Sequence, residues 1–461
     1  MGTRTTRAHE DARRTRRARL FRYALAGGAV AVAGAVCLHM LSRGTGQEAQ
    51  VAAPPAPGGP PPLTVDALKA EQLRAAEQTL ADFPGDARAI GLLGNVWSSH
   101  GNQARAVELW EKALALNPND PHGHDAMAMA AFLKEDHARA AELWRKTAAL
   151  DPRFPMVQHR LGQAMMLMGK TQEAIEAFTR NAAAFPDAFE SHYFLGQVLS
   201  QEKRYAEARA HYEKAVALKP DYTKAYYGLA LACRRLGDAA GAEEAMRRFS
   251  ELKGSDVAAD LDLRSVYDDA ANFARRVAAT LTSCGELYAG GGAMRKAEEL
   301  WLRAAALDGA AVACRANLGR LYQQTGRERE AAARCRELCV LEPGNAVHLF
   351  NLGVLQARLG DAAAAERTLA EVCERAPDHS DGFRVLAQMY LDRGIKAAEA
   401  LALAAKAAEI EPSAANFFVL GAAYARNGDR ERAGAALARA AALDPQNLQY
   451  RQAYEMLMQK K

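Results

Sequence analysis

The chain contains no Gly-x-Ser-x-Gly elbow, no glycine-rich phosphate loop, no His-Glu-x-x-His pair and no dinucleotide-binding fingerprint. Those spacings place nucleophiles, phosphates and metals for catalysis, and without them no catalytic constellation emerges. The absence of a Cys-x-x-Cys-His run excludes covalent haem attachment. Aromatic residues make up only 7% of the chain, and after residue 22 no block of lysine and arginine is interleaved with them, which argues against nucleic-acid binding. The positive charge is local. Of the formal +4, residues 1–22 supply +8 − 2 = +6, from eight arginines against Glu10 and Asp11, leaving +4 − 6 = −2 for the rest. Neither a cofactor nor a metal site is expected, since His122 and His124 lie two apart, a spacing that separates side chains on a helix.

What the chain does have is a beat. Prolines at 84, 118, 152, 186 and 220 stand 34 residues apart, and the beat resumes at Pro343, Pro377, Pro412 and Pro445. A fixed period of roughly 20 to 50 residues is the signature of a stacked repeat. With 87–120 as the first unit, position 8 holds Gly94, Ala128, Gly162, Gly196, Ala230, Gly285, Gly319, Gly353, Ala387 and Gly421. Position 20 is alanine throughout, at 106, 140, 174, 208, 242, 297, 331, 365, 400 and 433. Two helices approach closely only where no large side chain intervenes, so positions 8 and 20 mark the crossing of a helical hairpin. Larger residues such as Trp110, Trp144, Phe178, Tyr212 and Trp301 fill position 24 beside it. Glycine at position 15 ends the first helix, with Glu135 and Lys203 as departures, and the proline at position 32 stops the second.

The order of small, aromatic, alanine and proline positions in AIGLLGNVWSSHGNQARAVELWEKALALNP resembles the tetratricopeptide repeat family, and ten units in phase cover about three quarters of the chain. The resemblance implies an all-α, right-handed solenoid of about ten hairpins that works as a non-catalytic scaffold for protein or peptide partners. In that family, first-helix positions 2, 5, 9 and 12 line a concave groove for extended peptides. Carried over, the candidates are Asn95, Met129, Phe132, Met156, His159, Gln163, Met166, Tyr193, Gln197, Tyr227 and Arg234 in the first five units, and Arg320, Phe350 and Arg384 in the last five. Methionine adapts to varied partners and amides pair with peptide backbone; the same methionines also suit packing between units. The lysine that a carboxylate clamp would need at position 5 before Asn95 is Gly91.

From Pro220 to Pro343 is 123 residues, three periods plus 21. The repeats therefore divide into 87–256 and 278–447 around an insertion at 257–277, which is either a joint or a bulge in one continuous superhelix. Capping helices are expected at 63–86 and 448–461. Residues 23–41 follow the basic tail 1–22 and span roughly 28 Å as a helix, enough for a bilayer core. The positive-inside rule then leaves the N-terminus in the cytoplasm and the repeats across the membrane, in the periplasm of a bacterium. Cleavage of this segment as a signal, releasing a soluble repeat protein, is the alternative. Residues 42–62 hold six prolines and read as a tether. The expectation is a single-pass inner-membrane protein that gathers partners for envelope assembly or secretion; nothing specifies a homodimer. A cysteine-dependent redox role competes with it. Cys284 and Cys335 fall at apolar packing positions, however, and a disulfide among Cys314, Cys335, Cys339 and Cys373 stays open.

Overall fold

A computed structural model describes residues 64–266 and 270–459. The expected basic tail, membrane helix and tether lie outside the described residues. Among the described residues there are twenty-two α-helices and no strand, and no helix is long and apolar enough to cross a membrane. The chain divides into two compact units at Asp308 and Gly309.

The first unit begins with α1 (Val65–Asp82), followed by five hairpins: α2 (Ala87–Ser99) with α3 (Gln103–Leu116), α4 (Pro121–Leu133) with α5 (His137–Leu150), α6 (Val157–Leu167) with α7 (Thr171–Ala184), α8 (Phe189–Gln201) with α9 (Tyr205–Leu218), and α10 (Thr223–Arg235) with α11 (Ala239–Val266). Local chemistry sets their ends. Asp120 accepts the His122 and Gly123 amides at 3.1 Å and Pro121 occupies the first turn of α4, so orphan donors are satisfied where the helix starts. Position 15 closes each first helix in a left-handed conformation: its glycines have φ between 66° and 84°, and Glu135 and Lys203 adopt 61° and 59° in the same place.

The crossing of each hairpin is as close as the small residues permit. A Cβ on Gly162 would meet the Phe178 ring at 2.7 Å, and one on Gly285 would meet Trp301 at 2.4 Å. At Gly319, opposite the short Cys335, the nearest atom would be 3.7 Å away. Small residue and large partner are thus one packing unit. Across hairpins, a continuous apolar cluster runs from Ala128 to Ala232 through α4–α10, with Trp144, Phe178 and Tyr212 at its centre.

The sixth hairpin, α12 (Ala270–Gly290) with α13 (Met294–Leu307), was expected to open the second array, but it lies in the first compact unit. The expected insertion lengthens two helices, α11 to 28 residues and α12 to 21. Helix α12 packs against α1. Gln72 Nε2 donates to Thr280 Oγ1 at 2.9 Å, Cys284 Sγ lies 3.7 Å from the Ala75 carbonyl, Tyr288 donates to Asp82, and Arg303 of α13 holds Glu71 at 2.7 and 2.9 Å. Because the contacts advance together along both helices, α1 and α12 run in the same direction. Position 7 is leucine in most hairpins; the smaller Cys284 there lets α1 approach.

The second unit contains α14 (Val312–Gln324) with α15 (Glu328–Leu341), α16 (Ala346–Arg358) with α17 (Ala362–Arg375), α18 (Ser380–Arg393) with α19 (Ala397–Ile410), and α20 (Ala414–Arg426) with α21 (Arg430–Leu443), closed by α22 (Leu448–Gln459). Tyr450 of α22 lies 5.0 Å from the Phe418 ring, which places this helix as the lid on the last hairpin.

Candidate peptide-binding groove

The candidate residues sit on the first helices of successive hairpins, where residues four apart share a face. On α8, Tyr193 and Gln197 are so related. Tyr193 meets Tyr222 edge-on at 5.2 Å and Phe194 at 5.1 Å, and tilts toward Tyr212 at 6.1 Å. Burial raises the Tyr193 hydroxyl above its usual range and pushes Tyr212 and Tyr222 up to about 12, so all three remain protonated. Gln197 is half-buried, and its Oε1 is sealed from solvent with no donor. That oxygen is an unmet acceptor inside the packing, closed to a peptide laid on the surface, so the aromatic side chains are what this helix offers. One hairpin on, Tyr227 is 47% exposed and rests on Phe249 at 5.3 Å, and Arg234 is exposed.

The other candidates are placed differently. His159 is 4% exposed, set edge-on to Phe178 and Phe194 at 5.6 and 5.2 Å, and desolvation holds it down to about 4, followed by the Arg160 charge. It is a neutral core group. Met129, Phe132 and Met166 are partly buried against the same cluster, and Phe132 lies 5.4 Å from Trp144. Met156 precedes α6 with φ 63°, and Gln163 is half-buried. Asn95 is exposed, but its Oδ1 accepts Trp110 Nε1 at 2.9 Å. In the second unit, Arg320 is exposed, Phe350 packs against the cluster around Leu386, and Arg384 is paired with Asp381 at 2.6 Å. The structure therefore brings Tyr193 together with its aromatic neighbours and leaves Tyr227 and Arg234 exposed.

Two polar features escaped the sequence analysis. Asp125 accepts from Trp144 Nε1 at 2.9 Å and from Arg160 Nη1 at 2.6 Å, tying one hairpin to the next. The 35-residue separation of Asp125 and Arg160, one period plus one, was the available signal. His192 and His211 face each other with Nδ1 atoms 3.1 Å apart. Burial lowers both, Lys214 adds to it, and His192 falls to about 4. The cysteines differ again. All six described cysteines are free, and burial pushes Cys284, Cys335 and Cys373 up to about 11. That disfavours the thiolate a redox role would use.

Tetratricopeptide repeat models match residues 159–223 and 350–416, residues 199–259, and residues 414–447. The chain carries tetratricopeptide repeats. No curated protein is significantly similar to it. Among solved structures, the tetratricopeptide repeats are similar to MamA at 23% identity, over 36% of this chain and 97% of that one, with a TM-score of 0.35. MamA from Desulfovibrio magneticus RS-1 aligns at 22% identity over 37% and 96% of the two chains, TM-score 0.35. YrrB, a TPR protein described as having an unusual peptide-binding site, aligns at 17% identity over 42% and 99%, TM-score 0.37.

Proposed function

We propose that this protein is a membrane-tethered scaffold that holds an extended segment of a partner protein along α6, α8 and α10. The observation that carries it is Tyr227, 47% exposed on Phe249, one hairpin on from the Tyr193 aromatic cluster. Residues 23–41 serve as a single-pass anchor and 42–62 as a spacer, with the repeats on the periplasmic side, where the scaffold gathers components for envelope assembly or secretion. The nineteen-residue apolar run after eight arginines supports the anchor. The buried, high-pKa thiols support a binding role over a cysteine-based one.

Affinity capture from detergent-solubilised native membranes tests the groove. Tyr227→Ala, at an exposed position that leaves the core intact, is expected to reduce recovery of the bound partner about tenfold with unchanged helical circular dichroism. Undiminished recovery with this variant would remove the groove from the account. Alkaline extraction tests the anchor: the full chain should stay with the membrane and a chain lacking 23–41 should not.

A further inference from the structure

In each hairpin the outer side of the second helix is normally covered by the helix that packs next. The position-20 alanine and the position-24 side chain are accordingly buried in nine of the ten repeats. The fifth hairpin differs. Ala242 and Met246 on α11 are only half-buried, because the sixth hairpin packs on α1 instead. An open cleft runs along this face past Gly237, Ala239, Ala242, Met246 and Ser250, with Arg234 at its rim.

The unpaired charge beside the cleft is net positive. Arg234 on its rim and the adjoining Arg235 end α10, are exposed and form no ion pair among the described residues; Glu243 adds one carboxylate, and Arg247 is held by Glu244 and Glu251. Two copies meeting through this face would set arginine against arginine. A helix with carboxylates flanking an apolar seam would meet both the slot and the charges. The fold already contains one such pairing: α1 carries Asp66, Glu71, Glu77 and Asp82 against Lys69 and Arg74, and it covers the sixth hairpin with Glu71 on Arg303.

We propose that the open end of the fifth hairpin docks an acidic amphipathic helix of a partner protein, which takes the place of the missing next helix. This surface shares only Arg234 with the groove candidates, and Ala239→Arg and Ala242→Arg leave Tyr193 and Tyr227 untouched.

The probe is a labelled synthetic peptide of residues 64–83, net charge −4 + 2 = −2, titrated with detergent-solubilised full-length protein and read by fluorescence anisotropy. Saturable binding is expected. Ala242→Arg should weaken it about tenfold, as should Ala239→Arg, a second variant at an exposed site on the same face that guards against misfolding. Arg234→Gln with Arg235→Gln should weaken it about threefold, and added salt likewise. Absence of saturable binding to the native chain overturns the proposal. So does equal binding to both arginine variants, and faster alkylation of Cys284 would then show that the peptide had replaced α1 on α12. A peptide with lysine at its four acidic positions should not bind; equal affinity would overturn the charge argument. A dimer of the chain alone, split by Ala242→Arg, would assign the face to a second copy and overturn the proposal.

Discussion

Glu135 and Lys203 hold backbone angles that every other hairpin turn but these assigns to glycine, at φ 61° and 59°. An L side chain in this region costs about 1–2 kcal/mol, offset in part by the greater unfolded-state freedom of glycine. Glu135→Gly and Lys203→Gly are each expected to raise stability by about 0.5–1 kcal/mol, read as a higher urea midpoint at constant slope. His159 supplies a second residue-scale expectation. Its folded value of about 4 lies below that of an unfolded histidine, so the unfolded chain takes up a proton first as pH falls. Stability should be full above about pH 6.5 and decline between 6.5 and 4, by up to about 1.4 kcal/mol per pH unit from this group. In His159→Gln that decline should be shallower; an unchanged profile would mean that the ring is hydrated. The left-handed turn was legible from eight glycines and readable through the two exceptions. The burial of His159 was not, because the resemblance assigns position 5 to the groove, whereas here the ring lies edge-on to Phe178 and Phe194.

At the scale of elements, the hairpins follow directly from small, large and proline positions at fixed spacing, and the structure reproduces that order in both units. The docking of α12 on α1 does not follow from the period, because the repeat specifies what a helix packs against within its array and says nothing about a helix that lacks a partner. Local sequence does carry a trace of it. Gln72 replaces the alanine expected at position 20, buries to 2% exposure, and bonds to Thr280 and His100; Cys284 replaces leucine on the facing helix. Gln72→Ala removes the bonds to Thr280 and to the half-buried His100, while Thr280 Oγ1 keeps the Arg276 carbonyl, at a cost of about 1–2 kcal/mol. Opening of α1 should become about tenfold more frequent, measured as faster alkylation of Cys284 under native conditions, with Cys314 as the internal reference. An equal rate in the variant would place the stability of this contact elsewhere, in Tyr288, which donates to Asp82 and meets the Phe83 ring edge-on at 5.2 Å.

At the scale of the molecule, each unit buries its apolar faces between neighbouring hairpins, which is how a stack of short helices without a globular core becomes stable. A scaffold of this kind offers surface rather than chemistry, and the exposed Tyr227 of α10 beside the aromatic cluster of α8 is the part of that surface on which the proposed groove rests. The most direct measurement is site-specific photo-crosslinking in native membranes. A benzophenone amino acid placed at position 227, on the proposed groove, is predicted to yield a discrete partner adduct, whereas the same probe at position 116, exposed on the opposite helix of the first hairpin, yields none. Equal labelling from both positions, or adducts from position 116 alone, would contradict the account.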